Sequence, residues 1–311
     1  MDHDATVISG QGHDEEIVQA VIDSLPTLYY LVDAEGRIVR WNLKSLEVTG
    51  HSAAEHSRLN MLDLFEGADK AHIAQRMRTV FEAGEAGAEA RLLTRDGRKI
   101  PYHFNGKRIH VQGRPYLSCI GIDISERKAM EDQLMLQATT DSLTGVFNRR
   151  HFLHLAEQEL VRAKRYGSPL SLLMLDLDHF KSINDRYGHQ TGDAVLQELM
   201  RICRRVVRFI DGVGRLGGEE FAILLPDTDI KGAIQLAERL CQSIAESRIV
   251  LGDSAGSLSI TASIGVATLV TDCSINELLA AADRELYAAK KAGRNRVSVA
   301  QEQPVGQPRR Q

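Results

Sequence analysis

Two short stretches of this sequence carry carboxylates beside elements that could aim them. The first is LSLLMLDLD, 170–178, an apolar run that ends in Asp176 and Asp178. Such a run reads as a buried strand, and acid at the carboxyl edge of a sheet stands where α/β folds bind ligands. A buried aspartate is costly unless a cation or a donor neutralises it, although an Asp in this place also serves as an N-cap for a following helix. The second stretch is LGGEEF, 216–221. Gly217 and Gly218 predict a tight hairpin turn whose missing Cβ atoms let a phosphate approach the backbone. Taken alone, the pair reads as a hairpin followed by solvated glutamates. Taken together, Asp176 and Glu219 could share Mg²⁺, an ion that prefers a few carboxylates plus substrate phosphates to a closed protein cage. Two such ions would activate an attacking hydroxyl and stabilise the leaving oxygen of an in-line displacement. That chemistry needs positioning and charge more than a covalent nucleophile. It also needs cations, and Lys181, Lys290 and Arg294 are candidates. Lys290 and Arg294 lie four apart, on one face of the last helix if it runs that far; alone they read as a solvated helix end.

The elements that must position these residues lie in 141–300, where helix and strand patterns alternate. Helices are predicted at 151–166, 193–209, 231–247 and 275–291, strands at 170–177 and 259–267, and a hairpin at 214–225. This is an α/β sandwich with one hairpin. Residues 13–125 have a different texture: short strand-like runs at 28–32, 37–41, 90–94, 99–104 and 116–122, separated by Gly turns, with a helix at 70–83. That block is mixed α+β. Between the blocks, 126–140 holds no Gly or Pro and is rich in helix formers, which predicts a helical linker. Met130, Leu134 and Gln137 or Ala138 fall at heptad-like spacing, two heptads against the three or four that define a coiled coil. The ends, 1–12 and 301–311, are polar and are expected to be disordered.

Composition narrows the class. The 311 residues suit two domains, with 43% hydrophobic and 26% charged residues. A net charge of −4 provides no basic field for nucleic acid as a whole-chain partner. Four cysteines, Cys119, Cys203, Cys241 and Cys273, form no CxxC pair, so a disulfide scaffold and a structural zinc site are not expected. The acidic N-terminus is unlike a signal peptide, and no apolar run approaches the roughly 18 residues of a membrane span. A cytoplasmic location is expected.

The second block resembles the GGDEF domain of diguanylate cyclases over its whole length. Five motifs carry the resemblance in order: DSLTGVFNRR (141–150), DLDHFKSINDRYGHQTGD (176–193), RLGGEEF (215–221), SIGV (263–266) and ADRELYAAKKAGRN (282–295). It implies a polymerase-palm-like fold, a central sheet flanked by helices. It also implies an enzyme that condenses two GTP into cyclic di-GMP and two pyrophosphates, as a homodimer. Asp176 and Glu219 would be ligands of Mg²⁺, Mn²⁺ being the alternative ion, with the Leu177 carbonyl as a backbone ligand. Glu220 would help with the 3′-hydroxyl or the metal, and Gly217 and Gly218 would lie against the nucleotide. Asn184 and Asp193 would read guanine, whose N1–H and N2–H₂ donors suit a carboxylate. Phe180, through its amide, and Lys181, Lys290 and Arg294 would hold the triphosphate. The sequence has GGEEF where the family name has GGDEF, Val146 for a usual Leu and Leu216 for a usual Tyr. Arg208 and Asp211, nine and six residues before Gly217, match the family's RxxD product-inhibition site, and Arg239 stands where some members add a second arginine.

The first block resembles a PAS domain through YLVDAEGRIVRWN (30–42), RDGR (95–98) and GIDISERK (121–128). PAS domains bind haem, flavin, small metabolites or nothing, and often dimerise, so the ligand and the sign of regulation stay open. His72 falls on the middle helix, which supplies the haem ligand in some PAS sensors; a lone histidine there is more often a surface or core residue. Two other functions compete for the second block. One is a degenerate domain that only senses cyclic di-GMP, which the intact Asp176, Glu219 and Glu220 oppose. The other is an enzyme making a mixed adenine–guanine dinucleotide, which Asp193 opposes because that subgroup carries a serine there.

Overall fold

The computed structural model describes residues 11–250, 257–270 and 273–300. The expected disorder of 301–311, and of all but the last two residues of 1–12, lies outside that range. The chain divides into two units, Met1–Asp132 and Gln133–Gln311.

The first unit opens with helix α1 (Gln11–Asp23), followed by strands β1 (Leu28–Val32) and β2 (Ile38–Trp41). Helices α2 (Leu43–Thr49), α3 (Ala53–His56) and α4 (Gly67–Ala83) come next, with a 3₁₀ turn at Met61–Leu64. Long strands β3 (Glu85–Leu93), β4 (Lys99–Val111) and β5 (Arg114–Asp123) complete an antiparallel sheet of order β2-β1-β5-β4-β3. Alternation sets the faces: Leu28, Tyr30 and Val32 point into the core while Tyr29 and Leu31 do not. The buried face meets Ile73 and Val80 of α4 together with Met61, Leu64 and Phe65. Asn42 locks the β2–α2 corner from a fully buried position: its Oδ1 accepts from Ser45 N at 3.1 Å and its Nδ2 donates to Thr27 O at 2.7 Å.

The helix predicted between the blocks is α5 (Ser125–Thr139). It buries no residue; Met130, Leu134, Met135 and Leu136 are all exposed.

The second unit continues with β6 (Phe147–Asn148), α6 (Arg149–Tyr166), β7 (Leu170–Leu177), α7 (Phe180–Tyr187) and α8 (His189–Val206). The hairpin β8 (Gly212–Gly217) and β9 (Glu220–Pro226) follows, then α9 (Ile230–Ala245). Two-residue strands β10 (Ile249–Val250) and β11 (Ser257–Leu258) pair with each other, and β12 (Ala262–Thr268), α10 (Ile275–Lys291) and β13 (Val297–Val299) close the unit. The six-stranded sheet has the order β13-β12-β7-β9-β8-β6. Its centre, β7, is buried at all eight positions, as a strand covered on both faces must be. One face packs Leu173, Leu175 and Leu177 against Leu196 and Leu199 of α8 and Ala237 and Leu240 of α9. The other packs Leu172 and Met174 against Phe152 of α6 and Ala282 and Leu286 of α10. The mixed sheet between helical layers is the palm-like arrangement expected.

One sequence expectation needs correction here, and two readings left open are decided. The helix predicted from 193 begins four residues earlier, at His189, and is preceded by the unpredicted eight-residue α7. Arg294 is not on the last helix: α10 ends at Lys291, and Arg294 takes a left-handed φ of 63° beyond its cap. His72 is exposed on α4, whose core-facing residues are Ile73 and Val80, so it is not aimed at an internal ligand. The cavity in that core holds only about 30 Å³ among side chains such as Met61, Met77, Phe104 and Leu117.

Candidate active site

Antiparallel pairing builds the site. Asp176 lies opposite Glu220 on one side and opposite Ser263 on the other. The β7–β9 ladder ends at that pair, so Leu177 extends one residue past β9 towards the Gly217-Gly218 turn. Asp176 is 5% exposed, and its Oδ1 takes the ammonium of Lys290 at 2.8 Å. Burial pushes its pKa up; Lys290 opposes that shift, while the charges of Glu219 and Glu220 add to it. Three carboxylates therefore feel one another at the end of one strand pair, and one of them is deep enough to need a cation.

The turn is shaped for close approach. Gly218 has φ +48°, a conformation that favours glycine, and a Cβ built on either Gly217 or Gly218 would meet nothing within 4 Å. The two glycines are exposed, Glu219 is half-buried and Glu220 is exposed at the first position of β9. The hairpin is bulged: Arg215 pairs with Phe221 but Gly217 with Glu220, so Leu216 is the extra residue. Bulges of this kind re-aim side chains next to sites.

Asp178, two residues on, has another task. Its Oδ2 accepts from Thr261 Oγ1 at 2.7 Å and from the Asn295 amide at 3.0 Å, and its Oδ1 accepts from Ser263 Oγ at 2.7 Å. It does not cap α7, whose N-cap position is His179 with no side-chain cap bond. Asp178 instead fastens the segment after α10 to the end of β7, which brings Arg294, the neighbour of Asn295, to this edge of the sheet.

The base-reading candidates sit on the α7–α8 pair. Asn184 is half-buried on α7, and Asp193 is exposed on α8. Gly192 is buried between them; a Cβ there would lie 1.9 Å from Asn184 Oδ1 and 3.2 Å from the Phe180 ring. Phe180 and Lys181 open α7 immediately after the β7 end, and first-turn amides have no partner within their own helix. Lys181 is exposed.

The RxxD residues form a separate cluster at the other end of β8, whose six residues span roughly 20 Å. The Arg208 amide donates to Asp211 Oδ2 at 2.7 Å, and the Asp211 amide donates back to Arg208 O at 3.1 Å. Asp211 Oδ1 is buried without a partner, and burial raises the Asp211 pKa against the pull of the Arg208 amide. The Arg208 side chain is exposed, and Arg239 on α9 donates to Val206 O at 2.8 Å, reaching the same segment.

Among the described residues no group of three or more His, Cys, Asp or Glu side chains is arranged as a metal cage. The donors expected at the β7 end, the Asp176 and Glu219 carboxylates and the Leu177 carbonyl, are all oxygens and would form an incomplete set; that chemistry suits Mg²⁺, which keeps waters and substrate phosphates in its remaining positions.

Sequence reasoning gave no role to Gly192, to Asp141 or to Arg215. Gly192 carries no local signal because its neighbour is eight residues away in sequence. Asp141 and Arg215 stand inside quoted motifs, and their pairing is visible only in three dimensions.

Comparison with known proteins agrees with this geometry. Residues 138–296, about half the chain, match the family described as diguanylate cyclase, GGDEF domain, and residues 16–124 match the PAS fold. Among curated proteins, the diguanylate cyclase DgcM of Escherichia coli (strain K12) is 43% identical over 192 residues, which is 62% of this chain and 46% of that protein. The chain thus spans less than half the length of this relative. Among solved structures, the coiled coil and GGDEF domain of DgcB from Caulobacter crescentus, in complex with c-di-GMP, is 31% identical with a TM-score of 0.55. It covers 57% of this chain and 93% of that one. Diguanylate cyclase SiaD from Pseudomonas aeruginosa, in complex with its activator SiaC, is 38% identical with a TM-score of 0.51, covering 57% and 69%. With the sheet, the buried aspartate and the open glycine turn in place, this chain belongs to the diguanylate cyclase GGDEF-domain family, with a PAS fold ahead of that domain.

Proposed function

We propose that this chain is a diguanylate cyclase, joining two GTP into cyclic di-GMP with release of two pyrophosphates. The observation that carries the reading is the buried Asp176–Lys290 pair at the β7 end, set against the Glu219–Glu220 side of an unobstructed glycine turn. Asp176, Glu219 and the Leu177 carbonyl would hold Mg²⁺, or Mn²⁺ in its place. When bound, the ions supply positive charge that lowers the pKa of the attacking 3′-hydroxyl and stabilises the leaving pyrophosphate. Asn184 and Asp193 accept from and orient the guanine edge. Lys181, Lys290, Arg294 and the Phe180 amide hold the triphosphate, Lys290 from a position already against Asp176. Glu220 accepts the proton of the 3′-hydroxyl as its oxygen bonds to the α-phosphorus of the second GTP and the bond to pyrophosphate breaks.

Each such site holds one GTP, whereas the product joins two GMP units head to tail. Two copies must therefore face each other, and activity requires a homodimer. The exposed Met130 and Leu134 on α5 supply one dimerising surface, and the PAS unit regulates through that helix. Arg208, Asp211 and Arg239 bind the product and restrain the enzyme. GTP is a cytosolic nucleotide, so the domain works in the cytoplasm.

Turnover of GTP with Mg²⁺, followed by pyrophosphate release and chromatography of cyclic di-GMP, tests the reading. Glu219→Ala should abolish product while circular dichroism stays unchanged, because the residue lies beside an exposed turn. Near-wild-type activity of Glu219→Ala would remove it from the metal site.

A further inference from the structure

Arg215 stands two residues before the glycine turn and makes two unlike attachments. Its Nη1 lies 3.1 Å from Asp141 Oδ1 and 3.2 Å from Oδ2, while its Nε donates to Gly218 O at 2.9 Å. The guanidinium fork is thus fixed on one edge by a carboxylate and spends another donor on the backbone of the turn itself. The side chains of Arg215 and Asp141 are only 18% and 21% exposed, so the pair is partly withdrawn from water.

Asp141 is in turn firmly held. Its Oδ1 accepts from Thr144 N at 2.9 Å and Thr144 Oγ1 at 2.6 Å, and its amide donates to Val146 O at 2.8 Å. Burial works to raise its pKa, but the Thr144 donors and Arg215 outweigh that and leave it below the usual carboxylate value. It also lies just after α5. Asn148 Nδ2 donates to Ala138 O at 2.9 Å, Arg150 Nη2 donates to Ala138 O at 3.1 Å, and Thr140 bridges to Phe147. Asn148 pairs with Arg215 itself, as β6 runs parallel to β8. A second arginine, Arg149, reaches Leu216 O at 3.5 Å. The segment leaving the linker helix and the bulged end of β8 are therefore joined by side chain and backbone.

Gly218 needs such an attachment. It sits in a left-handed conformation in an exposed turn, with no side chain of its own to pack. Glu219 follows directly, and its carboxylate is useful only where Asp176 is. We propose that Arg215 is a positioning residue: its clamp between Asp141 and the Gly218 carbonyl fixes the turn that presents Glu219, and ties that turn to the segment leaving the linker helix. The inference rests on the cyclase reading for its kinetic test but not for its structural one.

The structural arm is hydrogen exchange in the full chain. Arg215→Ala should speed exchange of amides 216–220 while those of β7 and α8 keep wild-type rates. The kinetic arm is turnover of GTP. Arg215→Ala should lower kcat by roughly 10- to 100-fold, the scale set by a misplacement of about 1 Å. KM should change by less than about threefold, because Asn184, Asp193 and Lys290 lie on other elements; a structural defect would move both. Arg215→Lys should not restore kcat, since an ammonium cannot span both attachments as the fork does. Added methylguanidinium should raise the kcat of Arg215→Ala several-fold where methylammonium does not. Asp141→Asn provides a second variant should Arg215→Ala fail to fold, and should show the same exchange pattern at smaller size. Unchanged exchange at 216–220 in folded Arg215→Ala, or in Asp141→Asn if Arg215→Ala is unfolded, would overturn the proposal, as would a kcat within threefold of wild type. If the wild-type chain does not turn over GTP, the cyclase reading falls and the exchange pattern alone decides the clamp.

Discussion

Gly192→Ala separates base recognition from the metal centre more cleanly than any change to a polar residue. The new methyl would be built 1.9 Å from Asn184 Oδ1, 3.0 Å from its Cγ and 3.2 Å from the Phe180 ring. Oδ1 must therefore retreat by more than about 1 Å, which a half-buried Asn does most easily by leaving its rotamer. The fold should tolerate this: Ala in place of a helical Gly contributes up to about 1 kcal/mol, against an overpacking cost of about 1–3 kcal/mol. The net loss should be about 2 kcal/mol or less. On the base-reading role proposed for Asn184, the affinity loss is that of the guanine hydrogen bonds it can no longer make. One neutral bond contributes about 0.5–1.5 kcal/mol, and every 1.4 kcal/mol is tenfold. GTP affinity should fall roughly 2- to 10-fold, with kcat at saturating GTP little changed, because neither Asp176 nor Glu219 is near the new methyl. The assay is GTP titration of initial rates, with circular dichroism to confirm the fold. In a cycle with Asn184→Ala the double variant should be no worse than the worse single. A folded Gly192→Ala with wild-type KM, or strictly additive losses, would refute the claim that this glycine makes room for Asn184.

Three other outcomes are expected. In metal-free buffer with chelator, Asp176→Asn should raise thermal stability near neutral pH and abolish turnover. The folded-state pKa of Asp176 is raised, so the folded protein binds the proton more tightly than the unfolded chain. Stability is then lost as pH rises from the unfolded value of about 3.9 up through the raised folded value, and the variant should escape that loss, its melting curve converging with wild type at low pH. Arg208→Ala should relieve inhibition by cyclic di-GMP while sparing the initial rate, because Arg208 lies at the far end of β8; an unchanged inhibition constant would make the RxxD match incidental. Inserting two residues between Glu131 and Gln137 turns the following helix by about 200°, whereas inserting seven leaves a drift of only about 20°; basal activity at equal dimer content should change far more in the first case, and equal activities would make α5 a flexible tether.

What sequence could foretell here follows from how local each signal is. The strand β7 was legible because a run of six apolar or small residues leading into acid has few alternatives. The hairpin was legible because its turn is written in two glycines, but not its bulge, whose extra residue Leu216 packs against one of the two cores of the sheet. The eight-residue α7 is too short for periodicity to separate it from a loop. The end of α10 was legible at Lys291, which leaves Arg294 beyond the helix; what sequence could not show is the bond from the Asn295 amide to Asp178, 117 positions away, beside a left-handed Arg294. His72 is exposed, the commoner of the two readings left open for it; a histidine on the expected helix says nothing by itself about which side of that helix it occupies.

The contrast between Asp176 and Asp178 shows what the structure adds to two aspartates that end the same strand. Both are 5% exposed, and they stand two apart at the end of one strand. Asp178 is satisfied by two hydroxyls and an amide, all supplied by the chain. That is how a protein keeps a carboxylate buried for the sake of its own structure. Asp176 has one cation, Lys290, and two further carboxylates pressing on it. A buried ion pair adds little net stability over apolar packing, so an acid there, beside a turn empty of side chains, supports the proposed role of Asp176 in holding a charged ligand. The donors around Asp178 assign it to the fold, and their scarcity around Asp176 is what supports the role proposed for it.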